Sequence, residues 1–216
     1  MSIIVIACKT IERELLASME AVGCSWPVLW LESGLHNWPD KLRGRIQELL
    51  DSCVGCDTVL LAMSLCGNAV VGLKTGDFRL VVPRCDDCID LLLGSPERRR
   101  ALPGTYFLTQ GWLDGELNLW AEYQMALKKY GKKRGKAIFS AMLAHYNHLA
   151  LLDTGCFDRK PLETTLLDMA RELDLEPICL EGTLEYLQTL LTGPWDPDRF
   201  LVVPPNGELT SKYCVK

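Results

Sequence analysis

With 216 residues and a 48% hydrophobic composition, the chain is long enough for one full core and short for two. Its net charge of -5 lacks the basic excess of a general nucleic-acid binder, and it has no run of about 20 apolar residues to span a membrane. Ten cysteines behind an opening stretch that lacks a basic leader point to reduced thiols in a cytoplasmic protein, not to a disulfide framework.

Strand and helix patterns alternate along the chain. Residues 2–7 are a continuous β-branched run, followed by helical composition from Glu12 to Glu20, with Thr10 as the expected N-cap. Val28 to Leu31 reads as a second strand. Pro39 sits in the first turn of the next helix, where its missing N–H costs little, and Leu42, Ile46, Leu49 and Leu50 form that helix's apolar face. Strand patterns at 58–63 and 79–83 end near Cys66 and at the segment Arg84-Cys85-Asp86-Asp87-Cys88, after which Ile89 to Leu93 read as a short helix. A strand at 105–108 precedes two helices at about 112–129 and 134–148, with the basic run from Lys128 to Lys136 read as a solvated turn between them. A strand at 149–153, a helix at about 161–174, a strand at 177–180, a helix at 183–191 and a strand at 200–203 complete the order, ahead of a polar tail.

This alternation predicts an α/β fold: a Rossmann-like, open, mostly parallel sheet with helices on both faces, a three-layer sandwich. With no repeat and no long linker, residues 1–216 read as one domain, with 112–148 as a candidate helical lobe. The carboxyl ends of the strands in such a sheet are where ligands bind. Cys8, Cys66, Cys85, Cys88 and Cys156 all fall where a strand is expected to end.

Cys85-x-x-Cys88 is the sharpest local signal, because two thiolates at that spacing either share a metal or form a redox pair. Cys53-x-x-Cys56 has the same spacing but is expected at the opposite edge of the sheet. A six-residue strand places it roughly 20 Å away, too far for metal–sulfur bonds of about 2.3 Å. Cys8, Cys66 and Cys88 form the candidate ligand shell, with His36 or Cys85 as a fourth member. Zinc suits such a set, and an iron–sulfur cluster is the alternative. His145 and His148, spaced i, i+3 on the expected helix, read as structural. Asn68, Arg84, Asp87, Thr109 and Asp153 lie near strand ends and are candidate substrate-binding residues, with Arg84 suited to a carboxylate or phosphate, and Trp112 and Glu116, at helical spacing just after Thr109, are the candidate pocket wall. No G-x-G-x-x-G follows the first strand, and no Walker or G-x-S-x-G motif occurs.

Several segments together resemble the domain-of-unknown-function family 1638. They are Ile6-Ala7-Cys8, His36 with Pro39 and Leu42, Leu65-Cys66-Gly67-Asn68, Pro83-Arg84, Asp87-Cys88-Ile89, Leu92-Leu93-Gly94-Ser95 and Tyr106 to Trp112, extending more weakly through Asp153-Thr154-Gly155. The resemblance places Cys8, Cys66 and Cys88 at family-like positions. It implies a setting beside corrinoid-dependent methyltransferases, with a corrinoid available through a partner protein. The expected function is therefore metal binding at a cysteine-rich site that serves corrinoid-linked methyl transfer or one-carbon metabolism, on a small-molecule substrate. The alternatives are a CxxC thiol-redox protein and a non-catalytic accessory module that binds metal or cofactor.

Overall fold

All eight apolar runs form strands, and the strands divide between two sheets. The computed structural model describes residues 2–116 and 118–210, so the end of the polar tail, with Cys214, lies outside the described residues. The chain clusters into two compact units, Met1–Pro96 with Thr183–Lys216, and Glu97–Gly182.

The first unit opens with β1 (Ile3–Cys8), α1 (Glu12–Val22), β2 (Val28–Leu31), α2 (Pro39–Ser52), β3 (Thr58–Ala62), β4 (Arg79–Pro83) and α3 (Cys88–Leu93). β2, β1, β3 and β4 are parallel neighbours in that order, so β1 has β2 on one side and β3 on the other. The chain therefore reverses its direction of growth across the sheet between β1 and β3, and such a reversal is where an open α/β sheet forms its ligand crevice, at the carboxyl ends of the strands. Both faces are covered at the centre of β1 and along β3 and β4, which is why they read as unbroken apolar runs. Ile6, Val59, Leu61, Leu80 and Val82 pack with Leu42, Ile46 and Leu50 of α2 in one buried cluster. Their alternates Val5, Ala7, Leu60, Ala62 and Val81 are equally buried and, by the two-residue period of a strand, point to the other face.

Pro39 occupies the first turn of α2 as expected. Thr10 does not cap α1. Lys9–Ile11 forms a short 3₁₀ turn, the residue before α1 is Ile11, and the Thr10 hydroxyl is engaged by the Cys8 thiol instead.

The second unit contains most of α4 (Pro96–Arg100), then β5 (Thr105–Leu108), α5 (Gln110–Leu113), α6 (Leu119–Tyr130), α7 (Lys132–Met142), β6 (His148–Asp153), α8 (Arg159–Leu173) and β7 (Glu176–Glu181). Its three strands are parallel in the order β5-β6-β7. The helix expected at 112–129 is interrupted, and Asn118 shows why. Its side-chain amide donates to the carbonyls of Leu113 (3.0 Å) and Gly115 (2.7 Å), while its oxygen accepts from the Ala121 N–H (2.9 Å), stopping one helix and capping the next. Gly135 of α7 meets Leu127 of α6 so closely that an added Cβ would lie 2.8 Å from its side chain. Tyr123 and Phe139 stack edge-on across the same pair of helices. The basic run is exposed from Lys128 to Arg134, but it is helical where a turn was expected, ending α6 and opening α7 with Gly131 alone between them. α7 ends at Met142, so His145 and His148 share no helix. His148 opens β6, its Nε2 3.3 Å from a Glu176 carboxylate oxygen.

The chain then returns to the first unit through α9 (Glu185–Thr192) and β8 (Phe200–Val203), which pairs antiparallel with β4 at the sheet's edge. The α/β expectation with mostly parallel strands holds, distributed over two sheets. Among the described residues, no helix is long and apolar enough to cross a membrane.

Leu61 is wholly buried on the α2 face. Leu61→Ala is expected to lower unfolding free energy in denaturant titrations by about 2–5 kcal/mol. Leu16→Ala on the exposed side of α1 is expected to stay within about 0.5 kcal/mol of the parent.

Candidate functional site

Three strand ends and two loops build the crevice of the first unit. Cys8 is the last residue of β1, and the register Ile3↔Thr58 through Ala7↔Ala62 places it level with the residue that follows β3. The loop after β3 is tied to the loop after β4 by two backbone hydrogen bonds, Leu65 N–H to the Cys85 carbonyl (2.9 Å) and Cys66 N–H to the Asp86 carbonyl (3.0 Å). Cys66 is thereby held beside the 85–88 segment.

The backbone of this loop is unusual. Cys66, Gly67 and Asn68 have φ of 42, 65 and 66°, three consecutive residues in the left-handed region. For Cys66 and Asn68, neither of them glycine, that conformation costs free energy and persists only where surrounding contacts hold it. The two backbone bonds to the 85–86 segment are such contacts. Strain of this kind concentrates at functional sites.

Asp87 precedes α3 and caps it, its carboxylate accepting from the Ile89 N–H (3.0 Å). Cys88 opens the helix. Burial pushes the Cys88 thiol well above its ordinary value, and the Asp87 carboxylate and the Cys66 and Cys8 sulfurs push it the same way. Burial likewise drives Cys66 up to about 11; a hydrogen bond with Ser64 partly offsets this, while Cys8 and Asp87 add to it. The positive end of a helix favours thiolate, but at Cys88 burial outweighs it. His36 lies in the 3₁₀ turn Leu35–Asn37 after β2. Burial pushes its pKa down and the Asp87 charge pulls it back up. Asp87 acts on Cys66, Cys88 and His36, and Cys8 acts on Cys66 and Cys88, so the five form one electrostatically coupled group.

Cys85 has different neighbours. Burial drives it to about 12; a hydrogen bond with the Tyr186 hydroxyl and the Arg199 charge oppose the shift, and Asp90 and Asp86 reinforce it. Tyr186 belongs to α9, and its hydroxyl donates to the Arg199 carbonyl (2.6 Å). The two cysteines of the motif thus serve different surroundings, Cys88 the β1–β3 crevice and Cys85 the α9 packing. Cys53 and Cys56 are buried at the other edge of β3, with sulfurs 3.2 Å from the Leu49 carbonyl and 3.8 Å from the Cys53 carbonyl. Nine cysteines are free thiols among the described residues.

Of the expected substrate-binding residues, Asn68, Arg84 and Asp87 stand on the loops of the first-unit crevice. Asn68 is exposed, and Arg84 is half-buried with its N–H bonded to the Arg199 carbonyl (2.8 Å). Thr109, Trp112, Glu116 and Asp153 belong to the second unit. Thr109 follows β5 and caps α5, and Asp153 ends the neighbouring β6, so both stand at the carboxyl edge of the second sheet. Trp112 packs against Tyr106, and Glu116 is exposed. The Asp153 carboxylate accepts from the Gly155 N–H (2.9 Å) and lies 3.6 Å from Arg159. The Cys156 sulfur is 3.6 Å from the Thr154 carbonyl.

Among the described residues, no three His, Cys, Asp or Glu side chains converge closely enough to hold a metal ion as they stand. Two of the crevice thiols are engaged locally instead. The Cys8 thiol donates to the Thr10 hydroxyl at 3.3 Å, and the Cys66 sulfur lies 3.1 Å from the Ser64 hydroxyl. The donor chemistry still fits a soft cation: three thiols and an imidazole on neighbouring strand ends, with a carboxylate beside them. Sequence reading missed Ser64 and took Thr10 for a helix cap. The available signal was a hydroxyl residue two positions from each of the two cysteines.

A family model described as a protein of unknown function (DUF1638) matches residues 30–191, three quarters of the chain, and the chain belongs to that family. No curated protein matches, and no solved structure does.

The raised thiol values have a consequence for stability. A thiol whose folded pKa exceeds its unfolded value binds its proton more tightly in the native state. Its contribution is complete below the ordinary value of 9.0 and is lost as pH rises toward about 11 for Cys53 and Cys66 and about 12 for Cys85. Denaturation midpoints of the metal-free protein are expected to fall steadily above about pH 9, and Cys66→Ala is expected to flatten that fall.

Proposed function

We propose that this member of the DUF1638 family binds a soft metal ion at the β1–β3 crevice through Cys8, Cys66 and Cys88, with His36 as fourth donor. The observation that carries the reading is the coupling of Cys88 to Cys66, Cys8 and Asp87 at a strand-order reversal. Burial, Asp87 and the neighbouring sulfurs all oppose thiolate at Cys66 and Cys88. A bound cation offsets both burial and mutual repulsion, because coordination deprotonates a thiol outright. Zinc is the ion this donor set suits best, and an iron–sulfur cluster is the competing occupant. His36 is favoured over Cys85 as fourth donor because Asp87, which acts on Cys66 and Cys88, also acts on His36, whereas the thiol of Cys85 is engaged by Tyr186.

The family resemblance adds the context of corrinoid-linked methyl transfer or one-carbon metabolism, with a corrinoid protein or methyltransferase as partner. When bound, zinc would supply an activated thiolate at neutral pH. The chain's own residues would do the rest: the buried strand ends exclude water, and Arg84 and Asn68 orient the acid or amide portion of a small substrate. A methyl-acceptor enzyme and a non-catalytic accessory protein share this site and differ in whether methyl donors are consumed. The thiol-redox reading has less support, since burial pushes both Cys85 and Cys88 up, opposite to the lowered value of a reactive CxxC pair. A cytoplasmic setting belongs to the same proposal, because the site needs reduced thiols.

Anaerobic purification followed by elemental analysis and an absorption spectrum tests the reading. About one zinc per chain without colour is expected. Cys8→Ser, Cys66→Ser and Cys88→Ser are expected to lose nearly all of it, while Cys53→Ser and Cys56→Ser retain it. Stoichiometric iron with a broad visible band would replace zinc by a cluster, and equal metal content in all five variants would sink the site.

A further inference from the structure

Two buried hydroxyls stand in matching places at the crevice. Thr10 is two residues after Cys8 and Ser64 two residues before Cys66, at the ends of neighbouring parallel strands. Both are closed off from solvent, Ser64 at 0% and Thr10 at 4% exposure. A buried hydroxyl is costly unless hydrogen-bonded, and each of these has a thiol sulfur within bonding distance, 3.3 Å for Thr10 and 3.1 Å for Ser64. One such pair would be ordinary packing. Two pairs, each on a candidate ligand of the same crevice, form a pattern.

We propose that Thr10 and Ser64 are positioning residues of the thiol site: each hydroxyl sets one sulfur's rotamer in the cation-free chain and donates to the same sulfur once it is a thiolate. The inference rests on the soft-cation reading above. A hydroxyl suits both states because it carries one donor and two acceptor lone pairs on a freely turning O–H. In the free chain the Cys8 S–H donates and the Thr10 oxygen accepts. When the thiol gives up its proton to bulk water on cation binding, the Thr10 O–H turns to donate to the sulfur. The bond is then charge-assisted and stronger than the neutral one it replaces. The Ser64 hydroxyl, free to donate or accept toward Cys66, serves the same way. These groups fix ligand orientation and raise affinity without touching the ion, as outer partners of metal ligands do.

Anaerobic titration of the metal-free full chain with Co2+ tests this, read by the thiolate-to-cobalt charge-transfer absorption and by competition with a chelator. Ser64→Ala and Thr10→Val are each expected to weaken Co2+ binding by about 10–100-fold and to move the charge-transfer band to lower energy, because a sulfur lone pair that loses a hydrogen bond is less stabilised. Thr10→Ser is expected to restore both. Far-UV circular dichroism and melting temperature verify folding, and Ser64→Ala, which removes a single oxygen, decides the matter where Thr10→Val unfolds. Parent-like affinity and band position in both hydroxyl-free variants would overturn this inference and leave the site itself standing. A parent chain that takes up no Co2+ would sink the site and this inference together.

Discussion

The register of β1 against β3 is the constraint on which the crevice depends. Paired from Ile3↔Thr58 to Ala7↔Ala62, the two strands end level, so that Cys8 and the loop from Ser64 to Cys66 emerge side by side. A slip of one residue would turn every side chain of β1 to the opposite face, sending Ile6 out of the α2 cluster and Cys8 away from its partners. The register is therefore held by the core. Ile6, Val59 and Leu61 are wholly buried against α2, and Val5, Ala7 and Leu60 are wholly buried on the other face. Burying both faces of β1 and β3 stabilises the fold and, as a consequence, aligns the thiols.

The second constraint is the pair of backbone bonds joining the loops after β3 and β4. It anchors Cys66, whose φ of 42° is costly for a residue with a Cβ, and it brings Cys66 to the start of α3. Burial at that point explains the electrostatics. Without a cation, a cluster of thiols next to Asp87 is best accommodated as neutral S–H groups, and the upward shifts of Cys66 and Cys88 follow. The same burial that suppresses thiolate would strengthen the attraction of any cation that reached the site.

Much of the fold was legible in the sequence because its signals are local. The continuous apolar runs of β1, β3 and β4, the Pro39 start of α2 and the i, i+4, i+8 spacing of Leu42, Ile46 and Leu50 announce themselves within a window of a dozen residues. The interruption between α5 and α6 was missed because its cause is one side chain, Asn118, bonding in both directions. The role of Thr10 was misjudged for a related reason. A threonine before a helix has the composition of a cap, yet the 3₁₀ turn at Lys9–Ile11 carries its hydroxyl to Cys8.

From the sequence alone came the alternation of strands and helices, the residues of the core, and the collection of thiols at strand ends, because each depends on periodicity along a few neighbouring residues. Only the tertiary structure decided how the eight strands divide between two sheets, where strand order reverses, and which thiols keep company. Cys85 and Cys88 are three residues apart, yet one answers to Tyr186, about a hundred residues later in the chain, and the other to Cys8, eighty residues earlier. Those partnerships come from long-range strand pairing and helix packing. No local pattern encodes them, because the free energy that selects them is that of the whole core.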